Sequence, residues 1–310
     1  MRFRLGRPDI SQYLRYVDVP DAGSEAALTV TWLGVSTLVV DDGTSALMTD
    51  GFFSRPGLLD VAVRALRPSP ARIDAALRRA GVDELLAVLP VHTHYDHALD
   101  SAVVAQRTHA SVVGGRSAAN IARGQGLSDS SIIAATPGAE LELGPYGVTL
   151  VESHHCPPDR FPGTITEPLV PPVKASAYRC GEAWSTLIHH RPTDRRLLIQ
   201  GSAGFVAGAL AGRHAEVAYI GVGQLGLQPE RYIRQYWNET VRSVGARRVV
   251  LIHWDDFFRP LTEPVRAIPY AGDDLDTTMR VLTALAERDG VAMHLPSLWQ
   301  RGDPWAGIDA

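Results

Sequence analysis

Three imidazoles and a carboxylate stand within six residues of one another in Val91-His92-Thr93-His94-Tyr95-Asp96-His97. The apolar run Leu85–Val91 leads straight into them and reads as a strand. His92 and His94 are two apart, and in extended backbone that spacing puts both rings on one face. Two ring nitrogens so placed can share one ion at roughly 2.0–2.1 Å from each. Asp96 and His97 follow as the chain turns into a helical pattern from Ala98, where they can face a second ion or a bound water. Folding alone gives little reason for this crowding, because each buried polar group needs a partner. The plain alternative, a histidine-rich surface turn, fits poorly behind an apolar strand.

These side chains need a frame, and the frame reads as strands and helices in alternation. Strand-length apolar runs occur at Leu28–Leu33, Ser36–Val40, Ala46–Met48, Leu85–Val91, Ser131–Ala134, Val148–Val151, Leu197–Gln200, Val217–Gly221 and Arg248–Ile252. Helical spacing of apolar residues marks Pro70–Ala80, Ala98–Arg107, Ala118–Arg123, Pro229–Val244 and Asp274–Arg288. Strands in quick succession, then strands alternating with helices, indicate α/β layers whose early strands pair as hairpins. No repeat or composition shift divides the chain, so residues 1–310 are read as one domain. Two proline-bearing stretches, Cys156–Ser176 and Asp255–Asp273, fit no element. Irregular loops of that length are uncommon in compact domains and are often functional.

Composition narrows the function. A chain of 310 residues, 45% hydrophobic and 21% charged, can bury a large core. Its net charge of −4 supplies no overall positive field, so no nucleic-acid partner is expected. Cys156 and Cys180, the only cysteines, make no disulfide framework and suit a reducing cytosol. Charges at the start lack an apolar run behind them, so no signal peptide is read. No apolar run approaches the roughly 20 residues of a transmembrane segment. The expectation is a cytoplasmic protein acting on a small-molecule substrate, with a homo-oligomer compatible.

The pattern His-x-His-x-Asp-His after a strand resembles the hallmark of the metallo-β-lactamase superfamily. Thr31-Trp32-Leu33-Gly34-Val35-Ser36-Thr37-Leu38-Val39-Val40 and Leu47-Met48-Thr49-Asp50-Gly51 look like its opening hairpin. Trp-Leu-Gly-x-Ser gives this start the flavour of the branch with the ascorbate-phosphate lactonases and the N-acylphosphatidylethanolamine phospholipase D group. The resemblance implies a four-layer αββα sandwich of two mixed β-sheets. It also implies further ligands at later strand ends. Val151-Glu152-Ser153-His154-His155 supplies two candidates that alternation does not separate; the family pattern favours His155 and leaves His154 a supporting role. Leu251-Ile252-His253-Trp254-Asp255-Asp256 resembles the final ligand, His253. Relatives place a metal-bridging Asp after an intervening strand, where Gln200-Gly201-Ser202 has serine instead. Asp50, Asp255 or Asp256 are then the substitutes to consider.

On this resemblance the expected activity is that of a metal-dependent hydrolase acting on an ester, lactone, amide or phosphodiester. The expected cofactor is zinc, one ion or two, with manganese or iron as alternatives. His92, His94, Asp96, His97, His155 and His253 are the ligands it implies, and Asp96 the residue that orients the attacking water or handles its proton. A fold relative that only binds a small ligand in a metal pocket is the competing reading, and Ser202 is its main support. No flavin-domain sequence accompanies the motif, and no basic cluster near it suggests a nuclease. The remaining histidines, His109, His189, His190, His214 and His294, and Cys156 read as structural. Gly221-Val222-Gly223-Gln224-Leu225-Gly226 lacks the spacing of a dinucleotide fingerprint. The apolar residues of the two irregular stretches suggest walls of a pocket for an apolar substrate portion.

Overall fold

Val217–Gly221 and Arg248–Ile252 are near-continuous apolar runs, as expected of strands covered on both faces, and both are buried along their whole length. In the computed structural model, which describes residues 4–308, they lie inside one of two seven-stranded mixed sheets. Met1-Arg2-Phe3, the first residues of the charged start, and the last two residues lie outside the described region.

The first sheet runs, in spatial order, Arg301–Gly302, Thr29–Trp32, Leu38–Asp41, Ala46–Thr49, Ala87–Leu89, Ser111–Gly114 and Ile132–Ala134. Its pairs up to Ala46–Thr49 are antiparallel and those beyond are parallel. The second runs Ala292–His294, Arg248–Ile252, Val217–Gly221, Arg195–Gln200, Ala183–His190, Tyr146–Ser153 and Glu140–Leu143. There the first three pairs are parallel and the rest antiparallel. Trp32, Leu38, Leu47 and Leu89 of one sheet share a core with Val148, Leu198, Tyr219 and Val250 of the other. Ile73, Leu77, Val104 and Ala122 from outer helices cover the first sheet, and Ile233, Trp237, Leu282 and Leu285 cover the second. This is the expected αββα sandwich.

The departures from the sequence reading have local causes. The strand Ala183–His190 stands outside the apolar runs because Ser185 and Thr186 break its pattern, yet both are buried, and the Ser185 hydroxyl donates to Gln200 Oε1. The helical stretch from Ala98 is broken in two, Tyr95–Ala98 and Ser101–Arg107. Asp100 at the break accepts from Phe53 N (2.8 Å) and Ser54 Oγ (2.6 Å), tying the helix to the loop after Asp50. The helix read to Val244 is α-helical only over Glu230–Trp237 and continues as a π turn, Asn238–Arg242. No helix among the described residues is long and apolar enough to cross a membrane.

Both irregular stretches are packed rather than open. Phe161, Leu169, Val173, Phe257 and Phe258 join Phe52, Tyr95, Ile121 and Tyr178 in a third apolar cluster. Leu261 packs instead on the cluster beneath the first sheet, while Val170 is exposed. The apolar content thus mostly covers itself.

The two sheets meet tightly at the end where the motif begins. A Cβ on Gly201 would lie 2.3 Å from Val91 Cγ2, so only glycine lets the end of Arg195–Gln200 approach the strand that delivers His92. Gly201→Ala is therefore expected to lower stability by about 1–3 kcal/mol through overpacking. Urea unfolding of the metal-free chain measures this, and an unchanged midpoint would refute the steric argument.

Candidate metal centre

Three loops leaving one end of the sandwich carry the candidate ligands. His92 and His94 follow Ala87–Leu89, His155 follows Tyr146–Ser153, and His253 follows Arg248–Ile252. Asp96 and His97 lie in the first turn after them. The structure gathers these six into two groups, His92–His94–His155 and Asp96–His97–His253, with the ligand atoms of each within 4.8 Å of one another. His92 Nε2 and His94 Nδ1 are 3.2 Å apart. Tetrahedral zinc with two nitrogens at roughly 2.0–2.1 Å would separate them by about 3.3 Å. In the second group Asp96 Oδ2 is 3.6 Å from the Nε2 atoms of both His97 and His253. His97 Nε2 is buried with no hydrogen-bond partner. An orphaned nitrogen beside a carboxylate and a second imidazole is what a divalent cation would satisfy, so these residues fit the metal that the resemblance implies.

Asp50 sets the direction of His97. Its backbone is left-handed (φ 55°), and its side chain is fully buried. Oδ1 accepts from Val91 N (2.9 Å), and Oδ2 accepts from Ser36 Oγ (2.6 Å) and lies 2.8 Å from His97 Nδ1. A carboxylate only accepts, so Nδ1 carries the proton and Nε2 presents its lone pair to the second group. His253 is also left-handed (φ 60°), and its N–H donates to Val35 O (2.9 Å). A Cβ on Gly223 would stand 3.0 Å from His253 Nδ1. The glycine-rich segment, which lacks the dinucleotide spacing, thus clears space for the His253 ring.

Electrostatics suit ligation. Burial, and then the neighbouring His97, His94, His155 and His253, push the His92 imidazole well below its ordinary value. Burial also lowers His94, and burial with His94 lowers His155 to about 4. All three stay neutral and keep a free lone pair near pH 7. For Asp96, burial favours the acid, but His97, His253 and His94 outweigh it and hold the carboxyl below the usual range. Burial opposes charge on His97 too, where Asp50 and Asp96 prevail and raise it.

The other candidates fall outside both groups. His154 is exposed, whereas His155 is half-buried with Nδ1 2.6 Å from Cys156 O. Ser202 Oγ accepts from Cys156 N (3.0 Å), so its hydroxyl braces the turn that carries His155. Asp255 is committed elsewhere: Oδ1 accepts from Val35 N (2.8 Å) and Oδ2 pairs with buried Arg55. Asp256 pairs with Arg7 and Arg266. No carboxylate among the described residues is common to the two groups.

Sequence reasoning missed Asp159 and Cys180. With His94 they form a third set of closely spaced donor atoms, and Asp159 Oδ1 is 3.1 Å from His94 Nε2. The one available signal was weak: Asp159 is the sole carboxylate in the first part of the irregular stretch that starts beside His155.

No family model matches the chain, and no curated protein matches it. Solved structures do. The structure of Igni18, a novel metallo hydrolase from the archaeon Ignicoccus hospitalis, aligns at TM-score 0.51 and 15% identity over 88% of this chain and 97% of that one. CmlA, a diiron β-hydroxylase from Streptomyces venezuelae, aligns at TM-score 0.55 and 12% identity over 90% of this chain but 54% of its own. Unliganded yeast PDE1 aligns at TM-score 0.51 and 10% identity, covering 89% and 99%. The chain has the metallo-β-lactamase fold. At these identities the likeness concerns the metallo-β-lactamase fold alone.

Lowered histidines couple stability to pH. Between the ordinary value of 6.5 and about 4, unfolded chain binds protons that folded His155 refuses, as it does for His92 and His94. Stability of the metal-free chain therefore rises with pH through this window and is lost as pH falls; His97, raised, acts oppositely above it. Each such histidine contributes a slope of at most about 1.4 kcal/mol per pH unit. Urea midpoints from pH 7 to 4.5 in chelator should fall less steeply in His155→Ala than in the parent. Equal slopes would show that His155 is not carrying the effect.

Proposed function

We propose that the chain is a cytoplasmic metal-dependent hydrolase that holds zinc at His92, His94 and His155, with a second and weaker position at Asp96, His97 and His253. The observation that carries this reading is the pairing of lone-pair nitrogens at ligand spacing, 3.2 Å between His92 Nε2 and His94 Nδ1, in a buried cluster kept neutral. Three imidazoles favour zinc, while two imidazoles and a carboxylate also suit iron. The free, buried thiols of Cys156 and Cys180 support a reducing compartment.

A divalent cation held there supplies Lewis acidity: it polarises a carbonyl or phosphoryl oxygen and acidifies water. The protein's own residues do the rest. His97 is aimed by Asp50 and His253 by its left-handed backbone, so the donors are fixed before substrate arrives. Asp96, held ionised, is a poor proton store and a good acceptor, which suits orienting the attacking water more than taking its proton. The substrate is proposed to be a small ester, lactone, amide or phosphodiester. Phe161 stands edge-on to His94 (6.1 Å between centroids) and Phe257 to His253 (5.6 Å), and these rings favour an apolar portion next to the scissile group.

The second reading, a ligand-binding relative with little or no turnover, is favoured by Ser202. Metal titration of the purified chain separates parts of the two. One ion should bind tightly and be lost, or weakened by orders of magnitude, in His92→Ala, since the three-nitrogen group then keeps too few donors. Ser202→Asp should tighten the second ion by restoring a bridging carboxylate. Unchanged stoichiometry in His92→Ala would overturn the ligand assignment.

Turnover of acyl esters, lactones and phosphodiesters of increasing chain length then tests the reaction. Each buried CH₂ contributes up to about 0.8 kcal/mol, so kcat/KM should climb severalfold over the first few carbons. A flat profile would remove the apolar subsite. No turnover of any class by the metal-loaded chain would favour the binding reading.

A further inference from the structure

His94 has two faces. Nδ1 looks toward His92 Nε2, while Nε2 looks toward the irregular stretch that leaves His155. On that side Asp159 Oδ1 lies 3.1 Å from Nε2, which makes no hydrogen bond, so the carboxylate faces the ring nitrogen as a neighbouring charge. Asp159 is itself held in place. Its Oδ1 accepts from Phe161 N (3.0 Å), and the buried Cys180 thiol lies within 4.8 Å of its carboxyl. The same segment grips the neighbouring backbone: Thr93 N donates to Cys180 O (2.8 Å), and Thr93 Oγ1 to Arg179 O (2.6 Å). Residues 159–180 therefore hold the main chain between His92 and His94 and place a carboxylate at the outer edge of the His94 ring.

We propose that Asp159 is a positioning residue that keeps the His94 proton on Nε2, leaving the Nδ1 lone pair free for the metal. This rests on the metal reading above. A carboxylate accepts and cannot donate, so its presence at Nε2 selects the tautomer in which Nδ1 is bare. Partners of this kind commonly change metal affinity by roughly 10–100-fold. They also couple sites: whatever affinity Asp159 gives the metal, the metal must return as order in the loop bearing Asp159.

Two readouts test this on the full chain. In the zinc-free protein, long-range ¹H–¹⁵N correlation of the imidazoles should show His94 protonated at Nε2. Asp159→Ala should give a mixed tautomer, while Asp159→Asn, whose amide oxygen still accepts, keeps the Nε2–H form. Competition with a chromophoric chelator should then find zinc bound roughly 10–100-fold more weakly by Asp159→Ala, with Asp159→Asn in between and both variants folded by circular dichroism. Parent His94 protonated at Nδ1, or Asp159→Ala with unchanged tautomer and affinity, would overturn the proposal. So would a thiolate-to-cobalt absorption band lost in Cys180→Ser, which would make Asp159 and Cys180 ligands rather than a brace. A parent that binds no zinc but shows the Nε2–H tautomer, lost in Asp159→Ala, sinks the metal reading while upholding the role of Asp159 at the ring.

Discussion

Keeping five imidazoles packed side by side, three of them held neutral, is the constraint on which the rest of this structure depends. His92, His94, His97, His155 and His253 crowd one end of the sandwich, with ring centroids of neighbouring pairs 3.8–5.1 Å apart. Charging His92, His94 or His155 costs desolvation and repels the neighbouring rings. Their lone pairs must nevertheless point inward to be of use, so each proton has to be held on an outer edge. Asp50 does this for His97 through Nδ1. For His155 the Cys156 carbonyl sits at Nδ1, and for His94 the Asp159 carboxylate lies 3.1 Å from Nε2. The outer ring of acceptors, rather than the ligands alone, determines which nitrogens face one another.

That ring is itself held by backbone that the chain adopts reluctantly. Val35, Asp50, Arg55 and His253 all have positive φ without being glycine, and every one lies on a loop at the site end. Such conformations cost of order 1–3 kcal/mol each and persist where surrounding contacts over-determine them. Here the contacts interlock. Val35 O accepts from His253 N and from Trp32 Nε1, Val35 N donates to Asp255, and Asp255 pairs with Arg55. Asp255, considered from sequence as a ligand, instead frames His253 from two residues away. Its burial against a guanidinium, 3% exposed on both sides, leaves no charge free for a metal.

This division of labour explains what the sequence could reveal. The His92–His97 cluster was legible because its ligands are neighbours in the chain and follow one apolar strand. Strands such as Val217–Gly221 and Arg248–Ile252 were legible to the residue because burial on both faces made them continuous apolar runs. His154 and His155 could not be separated by alternation, since the strand ends at Ser153 before either is reached. Ala183–His190 was obscured by polar residues that find partners only across the sheet. Asp159 and Asp50 work through contacts 65 and 47 residues away in the chain, and no local pattern encodes such a contact. Asp50 could be named from its strand end, but its acceptor role toward His97 could not.

Ser202 is where the two kinds of information meet. As a sequence feature it is a missing charge; in the structure its hydroxyl has a task, accepting the Cys156 N–H and so fixing the turn just after His155. An aspartate at this position could accept the same N–H with one oxygen and offer the other to a cation. Serine keeps the brace and gives up the charge. The His92–His94–His155 group, built of neutral nitrogens, loses nothing in its own donor set by that exchange. The Asp96–His97–His253 group keeps one carboxylate, and no anion is shared between them to offset the repulsion of two cations, which scales with the product of their charges. The expected consequence is asymmetry. One group is built of imidazoles alone, and the other keeps a single carboxylate.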